Sequence, residues 1–232
     1  MVYLNCNNNR GKRVKDMKKM NAKGFTLIEL LAVITIMGIL MIVAIPAVTR
    51  TIENSRKDTF VNTVQNYVGG LKTMWAADNL SCVDVNTPSE QYVSSAVSAG
   101  WYYVEVDSKS TDVPQLLESG GKSPWGSRDI RGYIIVHVQD VTNAAGVDTR
   151  KIDYYPVLVD DIHGINVSAD GSTALNPTTN IIKSETLKRG NLVMSNAKYT
   201  TLGTVTGGNF AGTTPSWTSG GTTITASKCI EV

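Results

Sequence analysis

The sequence holds few of the residues from which most catalytic and metal sites are built. Its 232 residues include three cysteines and two histidines. These are too few for a disulfide scaffold, a cysteine-based structural zinc site or a multi-histidine metal centre. It also contains no EF-hand spacing, G-x-S-x-G elbow or P-loop. We therefore expect no enzyme, no cofactor and no metal ion.

Net charge is also small, with 22 Lys and Arg against 20 Asp and Glu, and 42% of the residues are hydrophobic. This balance excludes a disordered chain, a nucleic-acid-coating protein and a polytopic membrane protein. The charge is unevenly distributed, however. Residues 1–24 hold seven basic side chains and a single acid, Asp16, whereas the rest of the chain holds 15 basic and 19 acidic side chains. A basic leader therefore precedes a mildly acidic body.

A long uncharged run follows the basic leader. Residues 30–48 contain no charged side chain, and as a helix they span about 28 Å, the thickness of a bilayer core. The positive-inside rule then predicts a single membrane pass with the N-terminus in the cytoplasm and the rest of the chain exported. A cleaved secretory signal is the competing interpretation, but its apolar core is about 7–15 residues long.

Glu29 is the one charged side chain within residues 25–48. A carboxylate costs about 2.5–3.5 kcal/mol near the centre of a membrane helix and less near the interface. Such a residue is a functional candidate, and its partner should be a cation. The alternative is an interfacial carboxylate that stays hydrated.

The segment 23–29, KGFTLIE, followed by the long apolar helix, resembles the processing site of type IV prepilins and the related pseudopilins. The resemblance covers residues 17–60. It implies that a prepilin peptidase on the cytoplasmic side cleaves between Gly24 and Phe25 and methylates the new amino group of Phe25. It also implies that Glu29 pairs with the Phe25 amine of a neighbouring subunit as a filament grows.

Two residues of the apolar helix weaken it, in places where many pilins have such residues. Pro46 has no N–H and clashes with the carbonyl group of Ile42, and Gly38 has a low helix propensity. An equally open alternative is that both are ordinary residues of a membrane helix, where Gly and Pro are common.

The leader carries Cys6, so two cysteines remain after its removal. Met1 and Met17 are alternative start residues for the leader. Many pilins pin the C-terminal part of the head with a disulfide, and we predict one between Cys82 and Cys229. These residues are 147 positions apart, and the chain-entropy estimate for such a loop is about 5 kcal/mol. Two unpaired thiols are the alternative, because the sequence does not give the Cα distance.

An amphipathic helix is predicted for residues 49–80. Its charged side chains lie mostly opposite an apolar stripe with three- and four-residue steps, and Gly69 and Gly70 interrupt the second half. We expect the stripe to pack against a sheet. The stripe consists of Ile52, Phe60, Val61, Val64, Tyr67, Val68, Leu71, Met74 and Trp75.

The rest of the chain reads as strands and loops. Segments 101–107, 132–138 and 153–159 are rich in β-formers, and Pro156 indicates that the third lies toward a sheet edge. Residues 200–228 are dense in Thr, Gly and Ser, which is typical of short strands with wide turns or of a loosely ordered surface loop.

The predicted fold class is α+β, with a long N-terminal helix packed on an antiparallel sheet. We divide the chain into a removed leader at 1–24, a transmembrane and assembly half-helix at 25–48, an amphipathic half-helix at 49–80, and an extracytoplasmic β-rich head at 81–232.

The few residues with catalytic chemistry have simpler interpretations. His137 lies inside an apolar strand, so we expect a structural role in the sheet. Asp160, Asp161 and His163 are close enough in sequence to suggest a metal or catalytic loop, but two adjacent carboxylates in a loop are more often a solvated turn.

Three functions fit these features. The first is a structural subunit of a type IV pilus, the second a pseudopilin of a type II secretion or DNA-uptake system, and the third a membrane-anchored binding protein that does not polymerise. Glu29 favours the first two. The expected partners are other copies of the chain, the prepilin peptidase and methyltransferase, the pilus assembly platform and inner-membrane lipid, with no nucleic acid. The expected location is the cytoplasmic membrane and then an extracellular filament.

Overall fold

The computed structural model describes residues 24–108, 114–117, 120–144, 146–167, 181–195 and 215–232. Its one α-helix among these residues is α1, Leu27–Ala76. The chain forms two compact units that divide in sequence between Val48 and Thr49. Residues 1–23 of the leader and residues 200–214 of the Thr- and Gly-rich region lie outside the described residues.

Helix α1 buries one stripe of side chains in the second unit. Three- and four-residue spacing places these side chains on a single face of the helix, and they are Phe60, Val61, Val64, Tyr67, Val68, Leu71 and Trp75. Ile52 was predicted to share this stripe but is 48% exposed, because the buried stripe begins only at Phe60.

The helix also differs from the prediction at its C-terminal end. It runs through Gly69 and Gly70 without a break and stops at Ala76, four residues before the predicted end. Gly70 is needed there because a Cβ at this position would lie 1.9 Å from the carbonyl oxygen of Leu116. Asp78 then takes a left-handed conformation with φ 55°, which turns the chain out of the helix.

Within the described residues ten strands follow, and eight of them form one sheet with the order β2-β1-β10-β3-β4-β5-β6-β7. The other two, β8 and β9, form a separate hairpin. The strands are β1 Leu80–Val83, β2 Gln91–Val93, β3 Gly100–Asp107, β4 Arg131–Thr142, β5 Asp148–Val159, β6 His163–Ile165, β7 Leu192–Met194, β8 Ser216–Ser219, β9 Thr222–Thr225 and β10 Ser227–Glu231.

The sheet is mostly antiparallel, as predicted, and the α+β class is confirmed. One pair differs: the last strand, β10, lies between β1 and β3 and runs parallel to β3. The Thr- and Gly-rich region was expected to form either short strands with wide turns or a loosely ordered surface loop. Its described part, residues 215–228, contains short strands.

Strand β5 is an inner strand of the sheet, so the prediction that Pro156 marks an edge is wrong for the strand as a whole. The reason is local. Strand β6 pairs only with Leu158 and Val159 of β5, so Pro156 has no β6 residue opposite it. On that side its carbonyl oxygen instead accepts a hydrogen bond from the side chain of Asn166 at 2.8 Å.

Side chains alternate between two apolar clusters along the central strands. Tyr102 and Val104 of β3 belong to the cluster that includes the buried stripe of α1, whereas Tyr103 between them belongs to the second cluster. Trp217 of β8 also lies in the second cluster. Both faces of the sheet are therefore covered, one by the helix and the other in part by the β8–β9 hairpin.

Candidate processing and assembly site

The residues on both sides of the predicted cleavage bond are open. Among the described residues, no heavy atom beyond Gly24 and its chain neighbours lies within 4 Å of the position that a Cβ on Gly24 would occupy, and Phe25 is 89% exposed. Both residues precede the first turn of α1, which begins at Leu27. The bond therefore lies outside the helix, and within the described residues no side chain covers it.

Glu29 and Thr26 form a capping box at the start of α1. The carboxylate Oε2 of Glu29 accepts hydrogen bonds from the backbone N–H of Thr26 at 2.8 Å and from its hydroxyl group at 2.9 Å. The Thr26 Oγ1 in turn accepts the N–H of Glu29 at 3.3 Å. Two backbone donors that the helix itself leaves unsatisfied are paired in this way.

This pairing was not predicted, although its signal is present in the sequence. Thr26 and Glu29 have the S/T-x-x-E spacing of a capping box directly before an apolar run. Glu29 thus has a local partner within the subunit, and its carboxylate lies near the backbone of the residue that follows Phe25.

The first unit exposes a helix that is apolar apart from Glu29 and Thr35. Every Leu, Ile, Val and Met side chain of residues 27–48 is more than half exposed. Helix α1 is the one helix of the described residues whose length and composition suffice to cross a membrane. Apolar surface of this size on a subunit marks contact with lipid or with other apolar surfaces.

Gly38 and Pro46 both lie inside α1. The helix continues past Pro46, and the space around Gly38 is open, with no heavy atom within 4 Å of a Cβ placed there. The structure therefore brings neither residue into contact with Gly24, Phe25 or Glu29. Their role as weak points of the helix stays a prediction.

Cys82 and Cys229 are joined by a disulfide in the second unit. They are register partners in neighbouring antiparallel strands, β1 and β10, with their Cα atoms 4.0 Å apart. Both residues are completely buried. The bond thus ties the final strand to the strand that directly follows α1.

The expected solvated turn at residues 160–164 is instead a buried polar cluster, so that prediction is wrong for Asp160 and His163. Both are 1% exposed or less. The Asp160 carboxylate accepts the hydroxyl group of Ser123 at 2.5 Å and the N–H groups of Ile162 and His163 at 2.8 and 2.7 Å. Burial raises the pKa of Asp160, but hydrogen bonds from His163, Ser123 and the backbone outweigh it and hold the pKa below its usual value.

This cluster connects the β5–β6 turn to helix α1 and does not activate a nucleophile. The indole of Trp125 stacks on His163 with 3.7 Å between ring centroids, and its N–H donates to Glu53 of α1 at 3.3 Å. The Ser123 hydroxyl donates to Asp160 and not to the imidazole, so His163 does not serve it as a base. The exposed member of the predicted group is Asp161, which pairs with Arg128 at 3.6 Å.

His137 has the structural position expected for it. Its ring stacks on Trp101 of the neighbouring strand β3, with 3.6 Å between centroids and 5° between planes. Burial lowers its pKa to about 4, although Asp153 acts in the opposite direction. Among the described residues, no group of three or more His, Cys, Asp or Glu side chains is arranged to hold a metal ion.

Comparison with known proteins defines the class from the N-terminal segment. Residues 19–45 match the family model described as the prokaryotic N-terminal methylation motif. This match contains the predicted cleavage bond, the capping box and the first part of the exposed apolar helix. The resemblance to type IV prepilins is therefore confirmed for this segment.

One known protein is similar to a larger part of the chain. The fimbrial protein EcpC of Eikenella corrodens is 37% identical to this chain over 87 residues, which are 35% of this chain and 57% of the relative. The chain thus matches less than two thirds of the relative's length. No solved structure matches the chain significantly. Together the two matches show that part of the chain is similar to type IV pilin-like proteins, and they point to a structural subunit rather than to an enzyme.

Proposed function

We propose that the chain is a structural subunit of a type IV pilus. Its maturation begins with cleavage between Gly24 and Phe25 by a prepilin peptidase, followed by methylation of the Phe25 amino group. The observation that carries this proposal is the methylation motif at the start of α1, where every Leu, Ile, Val and Met side chain of residues 27–48 is more than half exposed. A helix of this kind needs lipid before assembly and other helices after it.

Polymerisation depends on Glu29 in this proposal. Cleavage turns Phe25 into a free cationic N-terminus, and in hydrocarbon an amine and a carboxylate that meet offset two burial penalties at once. The Phe25 amine of one subunit then pairs with Glu29 of its neighbour. The capping box supports this role because it holds the Glu29 carboxylate at the N-terminal end of α1.

The location follows from the charge asymmetry and the apolar run. Seven basic residues precede the run, so the N-terminus stays in the cytoplasm while the β-rich head is exported. The subunit resides in the cytoplasmic membrane until the assembly platform transfers it to the filament. The disulfide supports export, since such bonds persist in oxidising compartments.

A surface pilus is preferred over a secretion or competence pseudopilus because the curated relative is a fimbrial protein. The test is electron microscopy of sheared surface filaments that are labelled with an antibody to the head, with mass spectrometry of the same fraction. We expect labelled filaments that contain this chain as a repeating component. Processed protein that stays with the envelope and never reaches sheared filaments would favour the pseudopilin.

A matched control uses Gly24→Leu, which places a side chain at the open cleavage position. We expect this variant to keep its leader and to be absent from filaments. For the wild-type chain, a processed protein that stays in the membrane and forms no filament of any length would contradict both polymerising functions. That result would favour the anchored binding protein.

A further inference from the structure

The last strand of the chain occupies an interior position in the sheet. Strand β10 lies between β1 and β3, which are themselves separated by only a short stretch of chain. It pairs through three residues with β1 on one side and three with β3 on the other. The sheet is therefore incomplete until residues 227–231 are in place.

The remaining strands do not need β10 to find their neighbours. Strand β2 pairs with β1, and β3 to β7 pair in chain order, each with the next. Contacts between sequence neighbours form early in folding because the loops that they close are short. The β1 contact of β10 closes a loop of 147 positions, so it forms late.

Side-chain contacts contribute little to holding β10 in place. Of its five residues, Cys229 alone is buried, and Ile230 is 44% exposed. Lys228 pairs with Glu105 of β3 at 2.8 Å, in a position open to solvent. Most of what retains the strand is its backbone pairing and the disulfide to Cys82.

The disulfide cannot exchange while β10 is in place. Cys82 and Cys229 are both completely buried, and thiol–disulfide exchange requires that an attacking thiolate reach the sulfur. Formation and reduction of this bond therefore take place with β10 displaced from its position between β1 and β3.

We infer that the gap between β1 and β3 is a strand-binding site, which the chain's own residues 227–231 fill last and which is open to an equivalent strand when the disulfide is absent. The occupant is an extended peptide with a cysteine in the register of Cys229. In the mature subunit the same chain supplies this peptide. In the reduced chain a second copy of the same segment can supply it.

The test offers the site a competing strand. The full chain, with Cys6→Ser to remove the leader thiol, is reduced in detergent, freed of reductant and mixed with the peptide ASKCIEV of residues 226–232, supplied as its symmetric disulfide. The Cys82 thiolate attacks this disulfide, bonds to one peptide and releases the other as a thiolate. Mass spectrometry measures the peptide attached at Cys82.

The control peptide has the same thiol but lacks the strand-pairing donors. Replacing Lys228 and Ile230 of the peptide by proline removes two N–H groups from a strand that is bonded on both sides. We expect the native peptide to be captured at least about tenfold more than the proline peptide, and the oxidised chain to capture neither. Equal capture of both peptides would show a merely reactive Cys82 and overturn the inference.

A second variant and a second measurement separate this result from misfolding. In the Cys229→Ser chain, β10 is present without its disulfide to Cys82, and we expect this chain to capture the native peptide too. If neither the reduced wild-type cysteine pair nor the Cys229→Ser chain captured the peptide, the inference would be overturned. In hydrogen exchange, reduction should remove protection from β10 while β4 and β5 stay protected. Retained protection of β10, or simultaneous loss in all three strands, would equally contradict a site that closes last.

Discussion

At the scale of single residues, Thr26 and Glu29 have to be considered together. Their hydrogen bonds give Glu29 a role within the subunit, as a helix cap, in addition to its proposed role between subunits. An alanine at position 29 would remove both roles at once. Gln keeps a capping oxygen without the charge, so the two roles can be separated by choice of substitution.

We predict that Glu29→Gln leaves a processed, membrane-resident protein that enters filaments at least about 100-fold less, because loss of one member of a buried ion pair costs about 3–5 kcal/mol. Thr26→Ala, the control, loses a cap of about 1 kcal/mol but keeps the charge and should assemble. Quantitative immunoblots of sheared and membrane fractions measure both. Normal incorporation of the Gln variant would show that the carboxylate needs no cationic partner.

His137 gives the head a pH dependence of known sign. Its pKa is about 4 in the fold because burial disfavours the charged ring, against about 6.5 in an unfolded chain. The neutral ring is therefore required, and its contribution is complete above pH 6.5 and is lost as the pH falls toward 4. Hydrogen bonds keep the pKa of Asp160 below its usual value, so Asp160 stays charged across this window.

We predict that the free energy of unfolding falls by about 2–3 kcal/mol between pH 7 and pH 4.5. His137→Phe retains a ring to stack on Trp101 but does not titrate, and its curve should be nearly flat over the same range. Urea unfolding of the full chain in detergent, followed by tryptophan fluorescence, measures both. A wild-type curve without slope in this window would contradict the buried neutral histidine.

At the scale of elements, periodicity predicted the buried face of α1 but not its contacts with the rest of the fold. The spacing of apolar residues correctly predicted the buried stripe from Phe60 to Trp75, because helix geometry fixes which side chains share a face. It wrongly added Ile52 and treated Gly69 and Gly70 as an interruption. Tertiary contact decided the case of the glycines: Gly70 is required by the approach of the Leu116 backbone, and no local pattern reports a contact with a loop 46 positions later in the sequence.

The two glycines therefore make a matched pair of variants. We predict that Gly70→Ala destabilises the head by about 1–2 kcal/mol, because its Cβ would overlap the Leu116 carbonyl oxygen. Gly69→Ala enters open space and should stabilise the helix by about 0.5–1 kcal/mol. Urea midpoints of the two variants give the comparison. Equal effects of the same sign would contradict the close approach at Gly70.

At the scale of the whole molecule, the strands were easier to predict from the sequence than their order in the sheet. The strands at 101–107, 132–138 and 153–159 are all present, since β-rich runs bounded by turn residues report local preference. The central position of β10 and the burial of Asp160 were not predictable in this way. Both depend on pairings between residues far apart in sequence, and for β10 the segment itself carries little apolar signal.

The disulfide acts at this scale because it closes most of the head into one loop. We predict that the Cys82→Ala, Cys229→Ala double variant loses about 2–5 kcal/mol of stability. In the wild type, alkylation in denaturant without reductant should label neither residue. Full labelling of both cysteines in the exported protein would show that the bond does not form there, and β10 would then be held by backbone pairing alone.

The central claim is that this chain is a prepilin-type subunit matured at its methylation motif. Mass spectrometry of the N-terminal peptide from the mature protein tests it most directly. The account predicts a chain that begins at Phe25 with one methyl group on its amine. An intact leader, or an N-terminus beyond Ala44 inside the apolar helix, would contradict it.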